Sequence, residues 1–285
     1  GGIKAGISLN GFAFLHEERV DLPESFNFED FSISVSGNNN TLRMNVTDSN
    51  GNSIEELSAD INGIRGLVAV VNNPDLGEDV KNGKSKFIFD DLLFSGSKLV
   101  EKPDNAFGPI LWTMHTLSEG TVKLMALLPP VGEADNQDVS LQLKNGENWE
   151  TVKTETIEPN SRTALFKLEN WDDTKDVDYR IEYVETGKDG SETANYYDGT
   201  IRKNPVDRPL KFGGLTCQFH YGFPYSPLVN NLTTLNPDML YFSGDQIYEG
   251  NGGYPIKREP ADVSILSYLG KYYMFGWAFG DLMRD

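Results

Sequence analysis

The first two hundred residues change character every few positions, and that rhythm limits the fold more than any other feature. Residues 41–47 alternate apolar and polar side chains, and Asp48-Ser49-Asn50-Gly51-Asn52 follows as a hairpin turn. Short apolar runs then recur at 66–71, bounded by Asn72-Asn73-Pro74, and at 86–94. Gly, Asn and Asp punctuate them at the spacing of a β-sandwich. Lys102-Pro103-Asp104-Asn105 reads as a linker, after which strands are expected at 121–128, 139–143, 162–168, 179–184 and near 199–202. Pro129-Pro130 and Asn145-Gly146 close two of these runs. Asn204-Pro205-Val206-Asp207-Arg208-Pro209 marks a second boundary.

Beyond it the texture is that of an α/β domain. Residues 210–219 read as a strand, and Met239-Leu240-Tyr241-Phe242 is a second, ending in Ser243-Gly244-Asp245; a helix is expected from about Val263 to Met283. In such domains ligands gather at the carboxyl ends of strands. The expected organisation is a β-sandwich over 1–100, a second over 106–205 and the start of an α/β domain over 210–285. That last piece is smaller than a whole α/β core, so the chain is expected to stop within the domain.

A length of 285 residues accommodates two ordinary domains or three small ones, and 38% hydrophobic with 11% aromatic residues supplies real cores. A net charge of −18 argues against nucleic acid as a stable partner and against an anionic membrane, because both repel a carboxylate-rich surface. The most apolar stretch, 268–282, is too short for a membrane span and is broken by Lys271 and Asp281. The chain opens at Gly1-Gly2 without the basic and apolar regions of a signal peptide, so such a peptide is expected either to have been removed or to lie in a longer protein. One cysteine, Cys217, excludes an internal disulfide and any multi-cysteine metal site.

The chemistry concentrates in two places. Glycine before Asp245 lets the backbone turn and presents the carboxylate at a strand end, and a carboxylate can bridge two cations. Tyr248, three positions on, offers a hard phenolate oxygen that could return to the same metal. Cys217 lies 28 positions before Asp245, a separation that brings neighbouring ends of a parallel sheet together. A lone cysteine in an exported protein is explained by a thiolate ligand. Taken alone, each feature has a plainer reading: Gly-Asp as a turn, Tyr248 as a packing aromatic, Cys217 as a small buried hydrophobe.

Leu215-Thr216-Cys217-Gln218, together with Asn236-Pro237-Asp238 and Gly244-Asp245-Gln246-Ile247-Tyr248-Glu249, resembles the opening of the alkaline phosphatase D (PhoD-like) metallophosphatases. Those enzymes share a Gly-Asp-x-x-Tyr signature with purple acid phosphatases. The 268–285 helix resembles the segment leading to that family's next metal-binding strand. Phe107 to Thr113, Leu128-Pro129-Pro130 and Glu169-Asn170-Trp171-Asp172 resemble the immunoglobulin- or fibronectin-type sandwich preceding the catalytic domain in secreted members. Residues 41–96 resemble part of a laminin-G or concanavalin-like jelly roll.

The resemblance implies a metallophosphatase domain that is a four-layer αββα sandwich when complete. It implies that Cys217, Asp245 and Tyr248 ligate Fe(3+), that Asp245 bridges toward Ca(2+) and is catalytic, and that Gln218 and Glu249 lie behind these ligands. The implied activity is metal-dependent hydrolysis of phosphomonoesters or phosphodiesters by a secreted, periplasmic or cell-surface enzyme. The family's remaining ligands would follow Asp285, so the remainder of the same polypeptide is an expected partner. The alternative is an extracellular, non-catalytic β-sandwich binding or adhesion protein, with carbohydrate a candidate ligand. Trp112, Trp149 and Trp171 would be its sugar-stacking residues, against the plainer expectation that they sit in sandwich cores. His16 and His115 are expected as surface or packing residues, His220 as a loop residue, and the acidic run from Asp172 to Asp178 as a solvated loop rather than a calcium site.

Overall fold

The computed structural model describes residues 3–38, 40–63, 68, 70, 88–100, 108–187, 189–250, 256 and 258–285. The chain separates into two compact units, Gly1–Ile88 and Phe89–Asp285. Its described residues are predominantly β, in several small antiparallel sheets consistent with β-sandwich modules.

In the first unit, β1 (Ala5–Ser8), β2 (Phe12–Leu15) and β3 (Glu18–Asp21) form one antiparallel meander; β4 (Phe31–Asn38), β5 (Thr41–Asp48) and β6 (Ser53–Asp60) form another. The alternation read at 41–47 is β5, whose Leu42, Met44 and Val46 join Ala13, Leu15, Phe26 and Leu57 in the core. Asp48 builds the expected turn by accepting hydrogen bonds from the amides of Asn50 (2.9 Å) and Asn52 (2.8 Å).

Most of the run expected at 66–71 lies outside the described residues, as does Lys102 to Asn105. The run at 86–94 is described from Ile88 onward and is not a strand. Asp90 accepts the Asp91 amide at 2.9 Å and Asp91 sits at φ 50°, so the acidic pair turns the backbone out of the β region.

The second unit begins with seven strands in its described residues: β7 (Trp112–Ser118), β8 (Thr121–Leu127), β9 (Asp138–Asn145), β10 (Asn148–Thr156), β11 (Thr163–Leu168), β12 (Val177–Thr186) and β13 (Glu192–Ile201). They form the sheets β11-β8-β7 and β10-β9-β12-β13. Val122, Leu124, Phe166, Leu141, Tyr179 and Ile181 fill the core to which both sheets contribute.

After this sandwich come β14 (Phe212–Leu215), α1 (Ser226–Leu235), β15 (Met239–Phe242) and α2 (Ala261–Met283). β14 and β15 pair in parallel through the α1 crossover, with Phe212 opposite Met239 and Leu215 opposite Phe242. The strand expected over 210–219 therefore stops at Leu215; beyond it the Cys217 backbone leaves the β region at φ 61°. Leu215 and Phe242 face the helices and pack with Phe275 and Phe279. Among the described residues no helix is long and apolar enough to cross a membrane.

α2 is held against the sandwich at two points. Trp112 is fully buried, and a Cβ at Gly276 would overlap its ring, so only glycine admits this approach. Farther along, the Tyr179 hydroxyl donates to the Arg284 carbonyl at 3.0 Å and pairs with the Thr113 hydroxyl at 2.5 Å. Trp112 is thus a docking residue, Trp171 lies partly buried against the sandwich core, and Trp149 stacks with the Arg180 guanidinium at 4.6 Å. His16 is exposed. The carboxylates of the acidic run each hold a neighbour: Asp172 Thr174, Asp173 Asn204, Asp176 the Lys203 amide and Asp178 Thr200.

Two consequences are measurable. Gly276→Val forces the helix off Trp112 and should cost about 1–3 kcal/mol in denaturant unfolding, with loss of the near-ultraviolet tryptophan signal. Burial lowers the His115 imidazole from 6.5 to about 4, with Asp285 opposing and Arg202 adding to the shift. The unfolded chain therefore binds this proton first, so stability is full above pH 6.5 and falls by about 3 kcal/mol toward pH 4. Denaturant titrations across that window should show the loss, and His115→Phe should flatten it.

Candidate metal centre

The parallel pairing does not end with the strands. Past Leu215 and Phe242, the Ser243 amide donates to the Leu215 carbonyl at 2.9 Å, the Cys217 amide to Gly244 at 3.3 Å, and the Gln218 amide to Asp245 at 3.2 Å. The two loops are zipped together as they leave the sheet. Cys217 and Asp245 both adopt left-handed backbone, at φ 61° and 56°, and Gly244 stands at φ 155°. For Cys217 and Asp245 such conformations cost about 1–3 kcal/mol each and persist where the surroundings impose them, whereas glycine adopts its own freely.

Those turns bring three different donor atoms together. The Cys217 thiol donates to Oδ2 of Asp245 at 3.6 Å, and the Tyr248 hydroxyl donates to the same oxygen at 2.9 Å. Cys217 and Asp245 are exposed, whereas Tyr248 is half-buried, its ring edge-on to Phe219 at 5.6 Å between centroids. Hydrogen bonding to Cys217 and then to Asp245 holds the Tyr248 phenol well above its ordinary range. In the metal-free protein the phenol keeps its proton.

This donor set fits a first-row transition metal. Metal–oxygen bonds of about 2.0 Å and metal–sulfur bonds of about 2.3 Å set neighbouring donors roughly 2.8–3.7 Å apart, and both observed separations fall in that interval. Sulfur with phenolic and carboxylate oxygen is the set implied for ferric iron. Calcium takes six to eight oxygens, and among the described residues no group of three or more His, Cys, Asp or Glu comes together.

Gln218 is 2% exposed and its Oε1 has no hydrogen-bond partner. Gln218 follows Cys217 in the chain, and a buried acceptor with no partner suits a hydrogen-bond donor delivered by a bound group.

Glu249 follows Tyr248 and carries its carboxylate to α2. It accepts from Arg258 Nε (3.2 Å) and a terminal guanidinium nitrogen (2.7 Å), and from the Tyr268 hydroxyl (2.6 Å). Arg258 first, then Tyr268, lowers its pKa to about 2. Separations of nine and nineteen residues carry no periodic signal, so neither partner is evident from the sequence. His220 occupies a single 3-10 turn, His220–Gly222.

No protein-family model matches this chain, and no curated protein matches it either. A proton-release measurement tests the site directly. Ligation requires the phenolate, so Fe(3+) delivered at neutral pH as a soluble chelate, which prevents its own hydrolysis, should release the Tyr248 proton. Tyr248→Phe should release one proton fewer.

Proposed function

We propose that this chain is a secreted metal-dependent phosphoesterase of the alkaline phosphatase D type, hydrolysing phosphomonoesters or phosphodiesters with a metal-activated water. The observation that carries the reading is the convergence of Cys217 Sγ and the Tyr248 hydroxyl on one oxygen of Asp245, at 3.6 and 2.9 Å. A cation held there would polarise a phosphoryl oxygen and lower the pKa of a bound water.

The chain's own groups then have distinct tasks. Cys217, Asp245 and Tyr248 would hold the cation, and a carboxylate with two oxygens would let Asp245 serve a second ion as well, the bridging and catalytic role. The unpaired Gln218 oxygen accepts a hydrogen bond and so orients a water. Exposure of Cys217 and Asp245 leaves room for a phosphate ester.

The sandwich β7–β13 supports an immunoglobulin- or fibronectin-type module preceding the catalytic domain. The second sheet face supports a larger α/β domain. Phe212, Met239 and Tyr241 project from the side of β14–β15 away from the helices and are about half exposed, whereas parallel sheets are ordinarily covered on both faces. In this reading a further layer of the domain covers that face and brings the remaining iron and calcium ligands.

Elemental analysis and hydrolysis of an aryl phosphate ester by the purified protein test the proposal. Iron with calcium, a visible tyrosinate-to-iron band and turnover are expected. Tyr248→Phe should bleach the band, and Asp245→Asn should cut turnover by more than about a thousandfold. A colourless, metal-free and inactive protein that includes the remaining ligands would instead favour the non-catalytic β-sandwich binding or adhesion role.

A further inference from the structure

Residues 243–250 carry Asp245 and Tyr248 from β15 toward α2 without regular secondary structure. Near Asp245 the backbone is fixed by the zipped loops and by the Gln246 side-chain amide, which donates to the Phe242 carbonyl at 3.0 Å. Beyond it, apolar packing is open. Ile247 lies over a cleft of about 420 Å³ lined by Ile265, Tyr268, Leu269 and Tyr272. Van der Waals contact alone therefore holds this part of the segment poorly.

Polar contacts hold it instead. The Arg258 guanidinium takes the Glu249 carboxylate through two nitrogens at 3.2 and 2.7 Å, and Tyr268 adds a third hydrogen bond at 2.6 Å. Two-nitrogen Arg–carboxylate pairing fixes orientation as well as distance. Tyr268 belongs to α2, whose Phe275 and Phe279 are buried against Phe242 at the end of β15. Glu249 is bonded directly to Tyr248, so its carboxylate ties the far side of the Tyr248 backbone to the helix. Arg258 also offsets a negative charge next to a site that would receive an anionic ester.

We propose that Arg258 and Tyr268 are positioning residues of the metal centre: by holding Glu249 they fix the backbone from which Tyr248 reaches Asp245. This inference rests on the metal-centre reading above. Neither residue touches the cation.

The test is titration of the full chain with Fe(3+), reading affinity by chelator competition and the visible tyrosinate band. Wild type is compared with Tyr268→Phe, Glu249→Gln, their double variant, Arg258→Ala and Arg258→Lys. Tyr268→Phe and Glu249→Gln should each weaken iron binding roughly 10–100-fold and shift the band. The double variant should be no weaker than Glu249→Gln alone, because both act through one carboxylate. Arg258→Lys should recover part of what Arg258→Ala loses. Thermal unfolding of the metal-free variants separates these effects from misfolding, and Tyr268→Phe, which removes one oxygen, serves if a charge variant does not fold. A wild-type band with unchanged affinity and spectrum in the variants, or with additive losses, overturns the positioning role alone. A wild type that takes up no iron overturns the metal-centre reading, and the positioning role falls with it.

Discussion

Everything at the candidate site depends on the parallel register of β14 and β15. A slip of one residue in a strand sends each side chain to the opposite face, and Cys217 would then leave Asp245. The register is fixed at both ends of a short ladder. At its start, Asp238 takes two hydrogen bonds from Arg208, both at 2.6 Å, and one from the Lys211 amide at 2.8 Å, which couples the chain entering β14 to the chain entering β15. At its finish, the amides of Ser243, Cys217 and Gln218 continue the pairing into the loops. The strands are only four residues each, so these flanking bonds are a large part of what aligns them.

The sandwich is mechanically part of this arrangement. α2 lies between the two structures: Phe275 and Phe279 meet Phe242 on one side, while Gly276 meets Trp112 on the other. One helical segment thus serves two interfaces, with Phe275 and Phe279 at the first and Gly276 admitting Trp112 between Tyr272 and Tyr273 at the second. The same helix receives Glu249 through Tyr268. A disturbance at Trp112 can reach the Tyr248 loop through a single rigid element.

How much of this was legible in sequence depended on burial. β8 and β11 were readable to within a residue or so because Val122, Leu124, Ala164 and Phe166 alternate inward on strands with a strong apolar face. β10 was not: it is a polar edge strand, with Glu, Lys and Thr at most positions, and edge strands carry charge to discourage further pairing. Most of β13 was missed for the same reason. α1 escaped because two asparagines and two threonines break up its apolar positions and only Leu232 is buried. The apolar run at 88–94 misled in the other direction, since composition says strand while two adjacent aspartates locally turn the chain. At the site, the 28-residue separation of Cys217 and Asp245 was informative because a strand–helix–strand crossover returns the chain to the adjacent strand end. The Arg258 and Tyr268 contacts left no comparable trace.

The chain's acidity gives the phosphoesterase reading its sharpest physical constraint. A protein of net charge −18 repels a phosphate ester at long range, and the donor cluster adds a carboxylate and, on ligation, a thiolate and a phenolate. Cys217, Asp245 and Tyr248 without a cation would form a poor anion site. With a cation, their negative charge is consumed in ligation and an electrophilic centre faces solvent where Cys217 and Asp245 are exposed. Glu249, one residue away, would erode that centre were its charge not taken up by Arg258. On this reading the metal is needed to bind the substrate as well as to activate water, and the Arg258–Glu249 pair shapes the local field as well as the geometry.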